Sequence, residues 1–305
     1  MRVSSLYHSN AMLAQLGTTG VKVGKLMEQL ATQKRVNVPS DDPVAASRLV
    51  QLNREQSAIK QYQSNIASLS GALSVQESHI TALSNEVLAI GDRLKLANNS
   101  TLSQKDIAGY GIELESMLDS LVATLNSKNE SGSYLFSGTK TDQQAVTWDE
   151  TLGEYVYGGN DGTRETQVAN GVSITENTNV AGAFSSSGND LEMLNNLKAL
   201  SQKMQDPNAS YADYQDEVTA MIDMVQSTSD NLGSLLTDLG GRQNRLTLID
   251  DAHTDVSLSN ELVQNELGSA DPATTTINLQ LYTISMQISS QAYSKVSQLN
   301  LFSLL

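Results

Sequence analysis

The residues best placed for chemistry in this 305-residue chain are Asp250 and His253, in the run DDAH (250–253). On a helix they lie one turn apart, and a carboxylate-x-x-His pair of this kind supplies metal ligands in di-iron helical bundles. Such a site needs a second pair and two further glutamates facing it. No companion pair is visible, and His253 falls on the seam of a long apolar repeat, where a polar residue typically trades stability for register. A structural role therefore outweighs a metal site. His8 and His79 have no companions and are expected to face solvent. No serine stands in a nucleophile motif. The absence of cysteine excludes disulfides and thiolate metal sites. GGNDG (158–162) reads as a hairpin turn rather than a phosphate loop. YLFSG (134–138) reads as packing at the root of a small domain rather than a binding loop. No catalytic residue, metal or cofactor is expected.

With no reaction to support, the informative residues are those that position helices. In NVPSDDPVAASRL (37–49) Pro39 pushes Val38 towards extended geometry and closes the preceding helix. Asp42 can cap the next helix, Pro43 suits its first turn, and Asp41 adds negative charge at its positive end. Pro39, Asp41, Asp42 and Pro43 thus form a hinge with a strong helix start. Beyond it Leu52, Ile59, Ile66, Leu73, Ile80, Val87 and Leu94 recur every seven residues. A second line runs through Glu55, Tyr62, Leu69, Gln76, Leu83, Ile90 and Ala97. This a/d pattern predicts a long coiled-coil-like helix ending near Asn98. A second helix from about Ser103 should fold back antiparallel, since the link is short.

Heptads vanish from Ser131 to Asn189, a stretch holding nine of the 20 glycines, the only tryptophan and two of the three phenylalanines. Short strands joined by LGE, GNDG and ANG turns predict a β-rich insert, with a modest core around Phe136, Trp148, Tyr155 and Tyr157. The insert is expected to be modular, so that its deletion spares the arms. Heptads return from about 211 to 267, with Val218, Val225, Leu232, Leu239 and Leu246 on one line and Val256 and Val263 on the other. Thr228, Arg242, His253 and Asn260 interrupt this seam, and Gly240–Gly241 marks a candidate bend. The expected fold is mainly α with a β-rich insert: an elongated antiparallel helical bundle with coiled-coil arms made from both termini and a small β domain between them. Its segments are 1–42, 43–130, 131–189, 190–267 and 268–305.

The two ends carry apolar stripes without matching cover. Leu13, Leu16, Val23, Met27 and Leu30 mark the N-terminal helix. The last helix, about 274–302, shows one stripe of Ile277, Leu281, Ile284 and Ile288 and another of Leu279, Tyr282, Met286, Tyr293 and Val296, with Leu299 and Phe302 beyond. A helix apolar on two faces needs cover on two sides, and the opposite terminus supplies only one. Assembly with other subunits would supply the second. Until then both ends are expected to be disordered, because ordering costs about 1–2 kcal/mol per residue without burial. The net charge of −15 argues against nucleic acid. No segment reads as a membrane span or a cleavable secretory signal.

MEQLATQKRVNVPSDDPVAASRL (27–49) and ISMQISSQAYSKVSQLNLFSLL (284–305) resemble the terminal signatures of the flagellin family. Within it, the Pro-Ser-Asp-Asp-Pro turn, GSYLFSGTKTDQQAV (132–146) and LGGRQNRLTLIDDAHTDVSLSNELVQNELGSAD (239–271) are similar to the hook-associated branch found between hook and filament. The resemblance implies a structural flagellar protein, exported without a cleaved signal peptide to an extracellular place at the hook-filament junction. The implied partners are copies of itself in a ring, an adjacent hook-associated protein on the hook side and flagellin on the filament side. An export chaperone on about residues 274–302 is implied as well. Flagellin itself is the first alternative, and a non-flagellar coiled-coil adhesin or sensory protein the second.

Overall fold

The computed structural model describes the backbone of residues 2–186 and 188–302 and the side chains of 7–186 and 188–295. In chain order it contains α1 (Arg2–Thr32), α2 (Pro43–Ala97), α3 (Gln104–Leu125), β1 (Val146–Asp149), β2 (Glu154–Tyr157), β3 (Glu165–Ala169), β4 (Val172–Thr175), a 3-10 turn (Ala181–Phe184), α4 (Glu192–Gln205), α5 (Tyr211–Gly268) and α6 (Pro272–Phe302). The fold is mainly helical with a small strand insert. It divides into two compact units, Met1–Ile59 with Thr254–Leu305, and Lys60–His253.

Within Lys60–His253 the heptad seam is closed. Ile66, Leu73, Ile80, Val87 and Leu94 of α2 are buried, as are Val218, Val225, Leu232, Leu239 and Leu246 of α5. The two helices run antiparallel, with Gly91 packed against Val225 and Gln243 Nε2 donating to Glu77 at 3.0 Å. α5 continues unbroken through Gly240–Gly241. α3 starts on a reciprocal cap between Ser103 and Asp106 and returns along α2. There Glu86 accepts from Ser120 and Thr124, and Arg93 meets Glu113 at 2.8 Å. α4, which the sequence reading had merged into the C-terminal arm, packs on α3. A Cβ at Gly111 would fall 2.8 Å from the Ser201 carbonyl oxygen, so glycine alone allows this approach.

The insert holds two separate antiparallel hairpins, β1–β2 and β3–β4. GGNDG is therefore not a hairpin turn, because it joins β2 to β3 and those strands do not pair. Asn160 pins it instead, accepting from the Thr139 amide at 2.8 Å. The expected aromatic core is also redrawn. Trp148 is 42% exposed, and the fully buried rings of the insert are Phe136 and Phe184. Nor is the insert modular: Val146, Tyr155, Val168, Ile174 and Phe184 lie in one apolar cluster with the leucines of α2, α3 and α5. YLFSG does pack at the root, with Leu135 and Phe136 buried. Gly138, at φ +69, faces Asn160 so closely that any Cβ would overlap it. His79 is half-buried with its ring edge-on to Phe136, rather than facing solvent. His8 is exposed.

In the other unit the repeat persists in sequence while the apolar seam gives out. Leu52 and Ile59 are buried, but Glu55 and Val256 on the companion lines are exposed. Between them the α2–α5 contact turns polar. Gln56 donates to Ser257, Gln264 to Asn53, and Asn260 is buried.

Candidate assembly surface

The hinge residues build a double joint. Asp42 Oδ1 accepts the Ala45 amide at 3.0 Å as the cap of α2. Asp41 Oδ2 accepts the amides of Asn37 and Val38, and its other oxygen meets Lys25 at 2.9 Å. The Lys25 bond, then the Val38 amide, hold the Asp41 carboxyl below its ordinary pKa. The Ala45 amide, followed by the Arg35 charge, does the same for Asp42. Pro39 and Pro43 are exposed on the rim. A second joint of the same chemistry opens α6, where Asp271 caps Ala273 and Thr274 ahead of Pro272. The two joints are tied: the Arg35 amide donates to the Gly268 carbonyl, Ala270 to Gln33, and the Arg35 guanidinium to the Leu267 carbonyl at 2.7 and 3.0 Å. Arg35 also reaches Asp42 at 3.2 Å. One cation thus satisfies the C-terminal end of α5 and the start of α2 together. Asp271–Pro272 repeats the Asp-Pro signal of Asp42–Pro43. Arg35 gave no such signal, since its partner is a carbonyl 232 residues away.

Beyond the joints α1 packs along α6. Both are continuous helices, where disorder was expected. Leu16 and Val23 are half-buried, and Thr19 fills the position between them at 8% exposure. On α6 the line through Thr275, Leu279, Tyr282 and Tyr293 takes the covered side, with Lys22 over the Tyr282 ring. The other stripe is bare: Ile277, Leu281, Ile284 and Ile288 are 54–65% exposed. Leu13, Met27 and Leu30 of α1 are exposed too. The side chains of Val296, Leu299 and Phe302 lie outside the described residues.

The polar seam residues anchor the insert. His253 Nε2 donates to the Val168 carbonyl at 2.8 Å, and its ring stacks on Tyr62. Arg242 donates to the carbonyls of Thr175 and Asn177, and Gln76 to that of Glu176. Asp250 takes no part in this. Among the described residues no three His, Asp or Glu side chains cluster as a metal site. Charge at a seam position was the visible signal at Arg242; the partners, backbone carbonyls of β3–β4 and just after it, were not legible.

Long helical arms closed around a β insert, with paired terminal helices bare on one side, define a flagellin-like chain. Residues 3–141 match the family model of the bacterial flagellin N-terminal helical region. Over 321 aligned residues the chain is 26% identical to flagellar hook-associated protein 3 of Salmonella typhimurium, covering 100% of this chain and 99% of that protein. A structure described as a flagellar hook-associated protein of Vibrio parahaemolyticus superposes with a TM-score of 0.69 at 36% identity, covering 75% of this chain and 100% of that one. The flagellar junction protein FlgL of Legionella pneumophila shares the fold, with a TM-score of 0.60 at 17% identity over 73% of this chain and all of that one. The chain belongs to the flagellar hook-associated protein family.

Proposed function

We propose that this chain is a structural, non-enzymatic subunit of the bacterial flagellum, an adapter at the junction of hook and filament that polymerises through α1 and α6. The observation that carries the reading is the bare line Ile277, Leu281, Ile284 and Ile288 on a helix whose opposite side α1 already covers. Apolar surface of that extent on a secreted subunit is an assembly surface. Copies of the chain would close a ring by burying it. An adjacent hook-associated protein would take the hook side and flagellin the filament side. Segments 1–42 and 268–305 then serve axial packing, 43–130 and 190–267 form the arms, and 131–189 is the insert. Before export without a cleaved signal, the same stripe would be a helix-in-groove ligand for a chaperone on about residues 274–302. A null mutant tests the reading. Hooks without filaments, with flagellin shed into the medium, are expected; intact filaments would sink it.

A further inference from the structure

A second apolar feature of the same unit is left unused by the terminal helices. At the start of α2 a groove of about 510 Å³ opens among Pro39, Pro43, Ala46, Val50 and Arg54. It lies on the outer side of α2, away from buried Ala45 and Leu52, and Val50 is 51% exposed. On α5, Leu258 and Leu262 sit one turn apart at 57% and 63% exposure, on the side opposite buried Asn260. Gln56–Ser257 and Asn53–Gln264 bonds put α2 and α5 back to back here, so groove and leucine pair face opposite ways. Their charges are complementary. Arg54 stands in the groove, whereas Asp255 and Glu266 flank the leucines, and none of the three has an ion-pair partner among the described residues.

We propose that the groove at the start of α2 receives the Leu258–Leu262 face of α5 from a second copy of this chain, with Arg54 meeting Asp255 or Glu266 across the contact. An i, i+4 leucine pair entering a groove is an ordinary helix-docking mode. Because the two surfaces differ and face opposite ways, the contact is heterologous: each copy keeps a free groove at one side and a free leucine face at the other. Contacts of this kind propagate into rings or open chains. The proposal rests on the self-association read above and adds to it a lateral contact outside the terminal helices.

The absence of native cysteine makes crosslinking a clean test. Full-length Val50→Cys and Leu262→Cys chains, mixed and oxidised, are expected to give mixed dimers several-fold in excess of either self-dimer. The doubly substituted chain should give a ladder of trimers and longer species. Arg54→Glu should abolish the ladder, and adding Asp255→Arg should restore it, with unchanged circular dichroism throughout. Self-dimers without mixed dimers, or no disulfides at all, overturn the proposal. So does a Val50→Cys chain that crosslinks in assembled flagella only to a different protein. The adapter reading fails separately, through a null mutant that keeps its filaments.

Discussion

The two compact units use one seven-residue repeat to different ends. In Lys60–His253 the seam positions Ile66, Leu73, Ile80, Val87 and Leu94 of α2 and Val218, Val225, Leu232, Leu239 and Leu246 of α5 are all buried, and the β insert closes over the same cluster. In the other unit the seam passes to Gln56, Ser257, Asn260 and Gln264, while Ile277, Leu281, Ile284 and Ile288 stay bare. One unit finishes its core within the chain; the other holds apolar side chains in reserve. The difference shows that periodicity announces a helix partner without saying whether that partner belongs to the same molecule.

That contrast can be broken in order of effect. Deleting 140–185 should be the most damaging change, because it strips Val146, Tyr155, Val168, Ile174 and Phe184 from the shared cluster. Denaturant unfolding should lose its cooperative transition, and a deletion that melts like the parent would restore the modular view. Phe136→Ala should cost about 3–5 kcal/mol, since the ring is fully buried. Phe136→Leu should recover much of that in the same measurement. His253→Ala removes the bond to Val168, for about 0.5–1.5 kcal/mol. Hydrogen exchange should then quicken first in β3–β4.

At the joint the effect is smaller and depends on pH. Asp41 and Asp42 have folded-state pKa values below their unfolded ones. Their contribution is therefore complete above the unfolded carboxylate range and is lost as pH falls through the folded values. Protection of the Asn37, Val38 and Ala45 amides, corrected for intrinsic exchange, should be full above the unfolded carboxylate range and weaken as pH is taken below it. Equal protection above and below that range would detach the joint from its carboxylates. Least of all should Ile284→Asp with Ile288→Asp alter the melting of the isolated chain, although it should abolish assembly and chaperone pull-down. A fall in melting temperature would mean that the stripe is covered within the subunit after all.

Much of this was legible in the residues. Leu73, Ile80, Val87 and Leu94 fell where the repeat put them, and Asp42 caps α2 as its position before Pro43 implies. Of the two stripes on α6, Leu279, Tyr282 and Tyr293 lie on the covered side, whereas Met286 of the same stripe is exposed along with Ile277, Leu281, Ile284 and Ile288. The misses share a cause. Whether Asn160–Gly162 closes a hairpin, whether Trp148 is interior, and what Arg35 or His253 binds are all decided by segments distant in sequence. Local chemistry is silent on those pairings. α4 falls inside the helical segment 190–267, and its own stripe of Met193, Leu194, Leu197, Leu200 and Met204 is visible in the residues, although its packing on α3 is not.

The antiparallel pairing of α2 with α5 has a kinetic consequence. Polar contacts between α2 and α3 span only 20–38 residues, whereas those joining α2 to α5 span 166–211. Loop-closure entropy makes such distant pairings late events. A chain delivered end first can therefore form the α2–α3 hairpin at once, yet its long seam must wait for residues near 211–268. Ile66, Leu73 and Ile80 stay without their α5 partners through that interval. The time between the arrival of α2 and of α5 thus sets a window in which the nascent subunit is most open to misassembly and proteolysis.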